Sequence, residues 1–348
     1  MTLARCFACM RQWWLRNLID EAKGADEDED VVLRPENVRD LDSFKMSIWW
    51  DKEAEWVDGG GVPMLVYAAC ASNLEATRAV LDAMHRAFEN DAKGLLREIN
   101  RPIPKDGFVD VGWPGLSTAL HLAMSLASPC VVSSLLEHGA NPCVVTGNGT
   151  DPFMAACIFN RIENINTWLH HYPKHDVSTG GKLVGARAIH RAAFWGPKKY
   201  QIVKRLVDAG ADPKSSNFRG GSVLNATASN EDYNLELLQY LLKLYTREEI
   251  NQRYVARTMK WRLINFVSLA SYRMGIGRSG LFGMIARDVG KTALHSAIEH
   301  SNVDAVEALL KAGADPHIRT ALGEDVFDCE RRHGPFPKIA EMLGRHAS

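Results

Sequence analysis

From about residue 60 onward, the apolar positions of this chain come in short bursts with helical spacing, separated by glycine- and proline-marked stops. The segment from Gly290 to Thr320 (GKTALHSAIEHSNVDAVEALLKAGADPHIRT) shows the unit in its clearest form. Thr292 stands where a hydroxyl caps a short helix, Thr292–Glu299. Val303, Val306, Leu309 and Leu310 fall on one face of a second, longer helix. Gly313 occupies a stop that needs positive φ, and Pro316 forbids continuation. Neither helix buries its apolar face alone, so the unit predicts copies of itself on at least one side.

Those copies are present. The leucine of the Thr-x-Leu-His stretch has counterparts at Leu65, Leu120, Phe153, Ile189, Leu224, Leu294 and Phe327, with gaps of 55, 33, 36, 35, 70 and 33. Four copies are clear: STALHLAM (117–124), TDPFMAAC (150–157), RAIHRAAFWG (187–196) and KTALHSAI (291–298). The tails EHGANP (137–142), DAGADP (208–213) and KAGADP (311–316) repeat the helix stop. Weaker copies lie at 63–81 and 222–242, and a degenerate one runs from EDVFD (324–328) to Leu343.

Thr292-Ala293-Leu294-His295-Ser296-Ala297 followed by Leu309-Leu310-Lys311-Ala312-Gly313-Ala314-Asp315 resembles the ankyrin repeat, whose pattern is T-P-L-H-x-A, a helix, then L-L-x-x-G-A-D. The resemblance covers roughly residues 60–345. It implies an all-α ankyrin-repeat solenoid of about six to seven helix-turn-helix units with two long inserts, near 90–115 and 245–289. The first insert includes RPIPKDGFVDVGWPG, a loop long enough to suggest a role. The second leaves about 35 residues, room for one very divergent repeat: 259–275 reads as one helix, and the glycine-rich stretch after it reads as a poor second one.

Ahead of the repeats the chain divides into a 1–23 segment, an acidic linker at 24–30 (GADEDED) and a Trp-rich capping segment at 31–60. Leu3, Phe7, Met10, Trp14 and Leu18 form an apolar stripe with Arg5, Arg11 and Arg16 beside it. Two readings stand for this amphipathic N-terminal helix. It covers the exposed end of the first repeat, or it makes peripheral membrane contact or serves organellar targeting, with Cys6 or Cys9 lipidated.

Composition narrows the classes. With 41 Lys and Arg against 42 Asp and Glu, the formal net charge is −1, which argues against a general nucleic-acid or anionic-membrane binder. No apolar run is long enough to span a membrane. Seven cysteines without a paired framework point to reduced thiols and a cytoplasmic, reducing compartment.

Candidate chemistry is sparse. His121, His190 and His295 recur in one repeat slot, where the resemblance implies that they bond backbone groups and tie neighbouring turns together. His170, His171, His175 and Asp176 crowd one loop but lack a metal-binding register, and Cys6-x-x-Cys9 lacks a second pair. Gly275-x-Gly277-x-x-Gly280 fits a phosphate-loop pattern without the strand that the mechanism needs before it. No catalytic motif occurs, so the expectation is a non-enzymatic protein that needs no cofactor or metal.

The resemblance implies a partner surface instead: the residues ending each first helix, together with the hairpin tips, line a concave face. Here those slots hold Leu126, Ile158, Phe159, Phe194 and Trp195, with Trp113, Phe218 and Arg219 at tips. In the middle copies these slots are apolar and aromatic, as binding hot spots are, whereas Ser125, Ser229, Asn230, Glu299 and His300 fill the others. The expectation is an interaction module, an adaptor or a fixed subunit of a larger complex, binding another protein; the bland alternative is that the inserts fold over these residues and make them core. A second reading is a ligand- or nucleotide-regulated protein with its site in the glycine-rich 275–290 insert.

Overall fold

The computed structural model describes residues 63–105, 115–181, 184–229, 234–276, 278 and 280–344. Trp113, the expected 1–23 helix, the acidic linker and the whole capping segment lie outside the described residues. The described residues form eighteen helices, with strand-like pairing only as isolated bridges such as Gly180 with Arg187 and Ser216 with Ser222. The chain divides into two compact units, Met1–His175 and Asp176–Ser348.

In the first unit, three helix pairs follow one another: α1 (Met64–Cys70) with α2 (Leu74–Ala87), α4 (Ala119–Leu126) with α5 (Pro129–Glu137), and α6 (Pro152–Ile158) with α7 (Ile162–His171). Helices α1, α4 and α6 pack in one row, and α2, α5 and α7 in a second. The interface between the rows is built from residues with almost no solvent exposure, including Leu65, Leu81, Leu120, Leu135, Phe153 and Trp168. Asn164, fully buried, donates to the carbonyls of Ala123, Met124 and Ala127 at 3.0 to 3.2 Å and so closes the open end of α4.

The second unit repeats the scheme four times. Its pairs are α8 (Ala188–Phe194) with α9 (Lys199–Asp208), α10 (Val223–Ala228) with α11 (Leu235–Leu244), α15 (Ala293–Glu299) with α16 (Val303–Lys311), and α17 (Val326–His333) with α18 (Pro337–Gly344). Gly210 and Gly313 end α9 and α16 at φ of +97° and +92°. The following alanine N–H reaches back to Leu206 and Leu309 respectively, both at 2.9 Å, which satisfies a carbonyl of the last turn.

The gap of 70 residues has a different content from a divergent repeat. Helix α10 packs directly on α15, and α11 on α16, so the stack continues without an intervening unit. The inserted residues form a short helix, α12 (Arg247–Ile250), an extended segment, and then a hairpin of α13 (Met259–Arg273) and α14 (Leu281–Asp288). The glycine-rich stretch expected to make a poor second helix therefore makes a real one. Gly283, Ile285 and Ala286 are buried, and packing against α13 offsets an intrinsic deficit of about 1 kcal/mol for a helical glycine.

The first insert also contains a helix, α3 (Ala92–Ile99). The two inserted helices share an anchor outside the repeat pattern: Glu98-Ile99-Asn100 in one unit and Glu249-Ile250-Asn251 in the other. Each isoleucine is buried. Asn100 donates to the Gly139 carbonyl at 3.1 Å and accepts from the Asn141 N–H. Asn251 does the same with Gly313 (3.1 Å) and Asp315 (2.7 Å). One amide side chain thus fixes each inserted helix to the glycine stop of the next repeat.

Candidate interaction site

The repeated histidines are structural. In each, the backbone N–H of the cap residue donates to Nδ1 three positions on: Thr118 to His121 at 3.1 Å, Arg187 to His190 at 3.3 Å, Thr292 to His295 at 3.3 Å. An Nδ1 that accepts leaves the proton on Nε2. From there His121 reaches the Thr150 carbonyl (3.2 Å) and His190 the Ser215 carbonyl (3.1 Å), each belonging to the turn of the next repeat. Burial lowers all three pKa values to about 4, so the imidazoles are neutral caps at physiological pH.

His175 packs its ring between Phe153 and Trp168, and His171 meets the Ser133 hydroxyl at 3.2 Å. Among the described residues no three ligating side chains gather. The glycines at 275 and 280 join two packed helices with no strand before them, and Arg278 turns back over Tyr272 and its carbonyl. This is hairpin chemistry, unlike a phosphate cradle at a strand end.

The expected partner-facing residues separate by unit. In the first, Leu126 and Ile158 end the adjacent helices α4 and α6 half-buried, and Phe159 is 44% exposed just beyond. In the second, Phe194 and Trp195 close α8 half-buried, with ring centroids 5.0 Å apart in a T-shaped contact. Their helix neighbours His190, Ala192 and Ala193 are buried, so the pair marks where the helix leaves the core.

The hairpin tips of the second unit are chained by main-chain bonds. The Phe218 N–H donates to the Val184 carbonyl (2.8 Å) and the Arg257 N–H to the Phe218 carbonyl (2.9 Å). Phe218 keeps 38% of its surface exposed, yet its ring occupies the space that a side chain at Gly185 would fill. Arg219 is engaged within the protein: it pairs with Asp288 at 2.8 Å and stacks on Trp261 at 5.5 Å. Asp288 also accepts from Lys291 at 3.0 Å, and Lys291 pairs on its other side with Glu299. Burial opposes the Lys291 charge, but the two carboxylates prevail and hold its pKa above the ordinary range. Sequence spacing missed this network, which joins residues 219, 261, 288, 291 and 299 across the hairpin insert.

The two-row helical stacks with extended tips are the architecture of an ankyrin array. Family models agree: ankyrin repeats in three copies match residues 189–320, and a single ankyrin repeat matches 116–147. The human ASB11 ankyrin repeat domain superposes with a TM-score of 0.51 at 17% identity, covering 80% of this chain and 96% of that one. The ankyrin repeat domain of Bcl-3, a member of the IkappaB protein family, gives 0.49 at 19% identity, covering 81% and 98%. No curated protein matches the sequence. The chain is an ankyrin-repeat protein, and ankyrin repeats are in general protein–protein interaction modules.

Proposed function

We propose that the chain is a non-enzymatic adaptor or fixed subunit that binds another protein through the ends of its first helices, the concave side of such arrays. The observation carrying this reading is the accessible aromatic pair Phe194 and Trp195 at the end of α8, beside buried helix neighbours. Large half-exposed aromatics concentrate binding energy when a partner desolvates them. In the first unit, Phe159 with Leu126 and Ile158 is a second apolar group of the same kind. Free thiols at Cys130 and Cys143, both exposed, favour a reducing, cytoplasmic-type compartment.

The test compares the full chain with Trp195→Ala in affinity capture from the native source, followed by quantitative mass spectrometry and titration of the recovered partner. The reading expects a stoichiometric protein whose affinity drops by about thirtyfold or more, as truncating a hot spot does. It also expects a change in melting midpoint well below that of a core tryptophan deletion. Core-like destabilisation would make Trp195 a packing residue. An undiminished partner would move the interface elsewhere.

A further inference from the structure

The α13–α14 hairpin breaks the rule that a helix turns its apolar side inward. Around α13, the residue fully buried is Ser268, with Trp261, Asn265 and Tyr272 partly covered on the same side. The opposite side carries Met259, Leu263, Phe266 and Val267, between 42% and 75% exposed. At 100° per residue these four, with Met274, fall within one continuous stripe. Past α13, Ile276, Leu281 and Phe282 are also exposed, from 47% to 61%.

Its rim is cationic. Lys260 borders the stripe on one edge, and Arg262 and Arg273 border it on the other; all three are exposed. Between Arg253 and Arg287 stand seven cations and no carboxylate, in a chain whose totals nearly balance. Among the described residues none of these seven forms an ion pair; the arginines donate to carbonyls or a hydroxyl, as Arg262 does to Ala256 (3.3 Å), Arg257 to Ser216 (3.4 Å) and Arg273 to Ala321 (3.1 Å). At the hairpin's foot, Arg253, Arg257 and Arg262 line one cavity of about 270 Å³ together with Val255 and Ala256. Three guanidinium groups around an open cavity, none held by a carboxylate, suit a phosphate group.

We propose that this hairpin docks on an anionic lipid bilayer, its apolar stripe at the headgroup–acyl boundary and its cations on lipid phosphates. An apolar stripe between two cationic edges is the arrangement of an interfacial helix, in which long basic side chains reach up to the phosphates. Charge of a single sign across 35 residues suits a surface of uniform opposite charge. A protein groove for this helix would have to supply acidic groups at fixed positions along both edges. The near-zero net charge of the whole chain conceals this local surplus.

The experiment is flotation of the full-length protein with phosphatidylcholine vesicles, with and without phosphatidylserine. The expected result is retention only by the anionic vesicles, weakening as salt rises. Lys260→Gln with Arg262→Gln should lower retention by about twentyfold or more, since each cation at an anionic surface contributes about fivefold. Phe266→Ser with Leu263→Ser should lower it about tenfold or more while leaving the melting midpoint unchanged, because both side chains are already exposed. Inorganic phosphate should displace the protein no better than chloride at matched ionic strength. The proposal is overturned if anionic vesicles do not retain the protein, or if the charge and apolar variants float like the parent, which would place any contact outside the hairpin. It is also overturned if inorganic phosphate or an acidic amphipathic peptide binds the hairpin while the vesicles do not.

Discussion

Gly210 and Gly313 permit a test in which backbone strain is separated from side-chain contact. Both end the outer helix of a repeat at φ near +90°. A Cβ added at Gly210 meets nothing within 4 Å, whereas at Gly313 it lies 3.2 Å from Cγ, Cδ and Nε of Arg247. Left-handed backbone costs an L-residue about 1–2 kcal/mol. The reduced freedom of the unfolded chain returns about 0.4–1 kcal/mol. Gly210→Ala should therefore destabilise by about 1 kcal/mol, all of it from the backbone. Gly313→Ala should cost about 0.5 kcal/mol more, because Arg247 must move and loses its 3.3 Å bond to the Gly313 carbonyl. Gly313→Val should exceed both, since β-branching worsens positive φ. Urea unfolding at neutral pH reads these differences, and a unit of this size should lose about 2–4 °C in melting midpoint per kcal/mol. In an Arg247→Ala background the Gly313→Ala cost should fall to that of Gly210→Ala. An unchanged midpoint for Gly210→Ala would refute the helix stop, and equal costs at both glycines in the parent background would refute the Arg247 contact.

Two further outcomes follow from buried charge. His121, His190 and His295 hold pKa values near 4 in the fold against about 6.5 in the unfolded chain. The unfolded state alone takes up protons in that window, so stability falls as pH drops, by about 2 kcal/mol per histidine between pH 7 and 5. Urea unfolding at those two pH values measures this, and a flat profile would show that the imidazoles are not buried neutral caps. Lys291→Met should cost about 3 kcal/mol at pH 7, the low end of the about 3–5 kcal/mol for breaking a buried pair, since it removes the cation shared by Asp288 and Glu299 while Asp288 keeps Arg219 and 37% exposure. Burial opposes the Asp288 charge, but Lys291 and Arg219 hold its carboxyl below the ordinary range, so that deficit, measured against the parent at each pH, should shrink as falling pH protonates Asp288. A constant deficit would indicate lost packing alone.

What the sequence determined by itself was local. The Thr-x-Leu-His start, the leucine pairs and the Gly-Ala-Asp stop each act within one helical turn of their own position, so their meaning survives without knowledge of the neighbours. The all-α repeat architecture was legible on that account; the structural role of His121, His190 and His295 was implied by the ankyrin resemblance, because Nε2 of His121 and His190 bonds into the next repeat. The polarity of α13 was not. Periodicity reveals that a helix has an apolar side, but only packing decides whether that side faces the core, and here Ser268 faces inward while Phe266 faces out. Nor could spacing decide what fills the 70-residue gap. Room for a repeat is a count of residues, whereas direct packing of α10 on α15 and α11 on α16 is a long-range pairing. The same holds for the candidate surface. The repeat slots of Phe194 and Trp195 can be read from sequence, but Arg219 is engaged by Asp288 and Trp261 from the insert, partners distant in sequence that only the folded chain brings within reach.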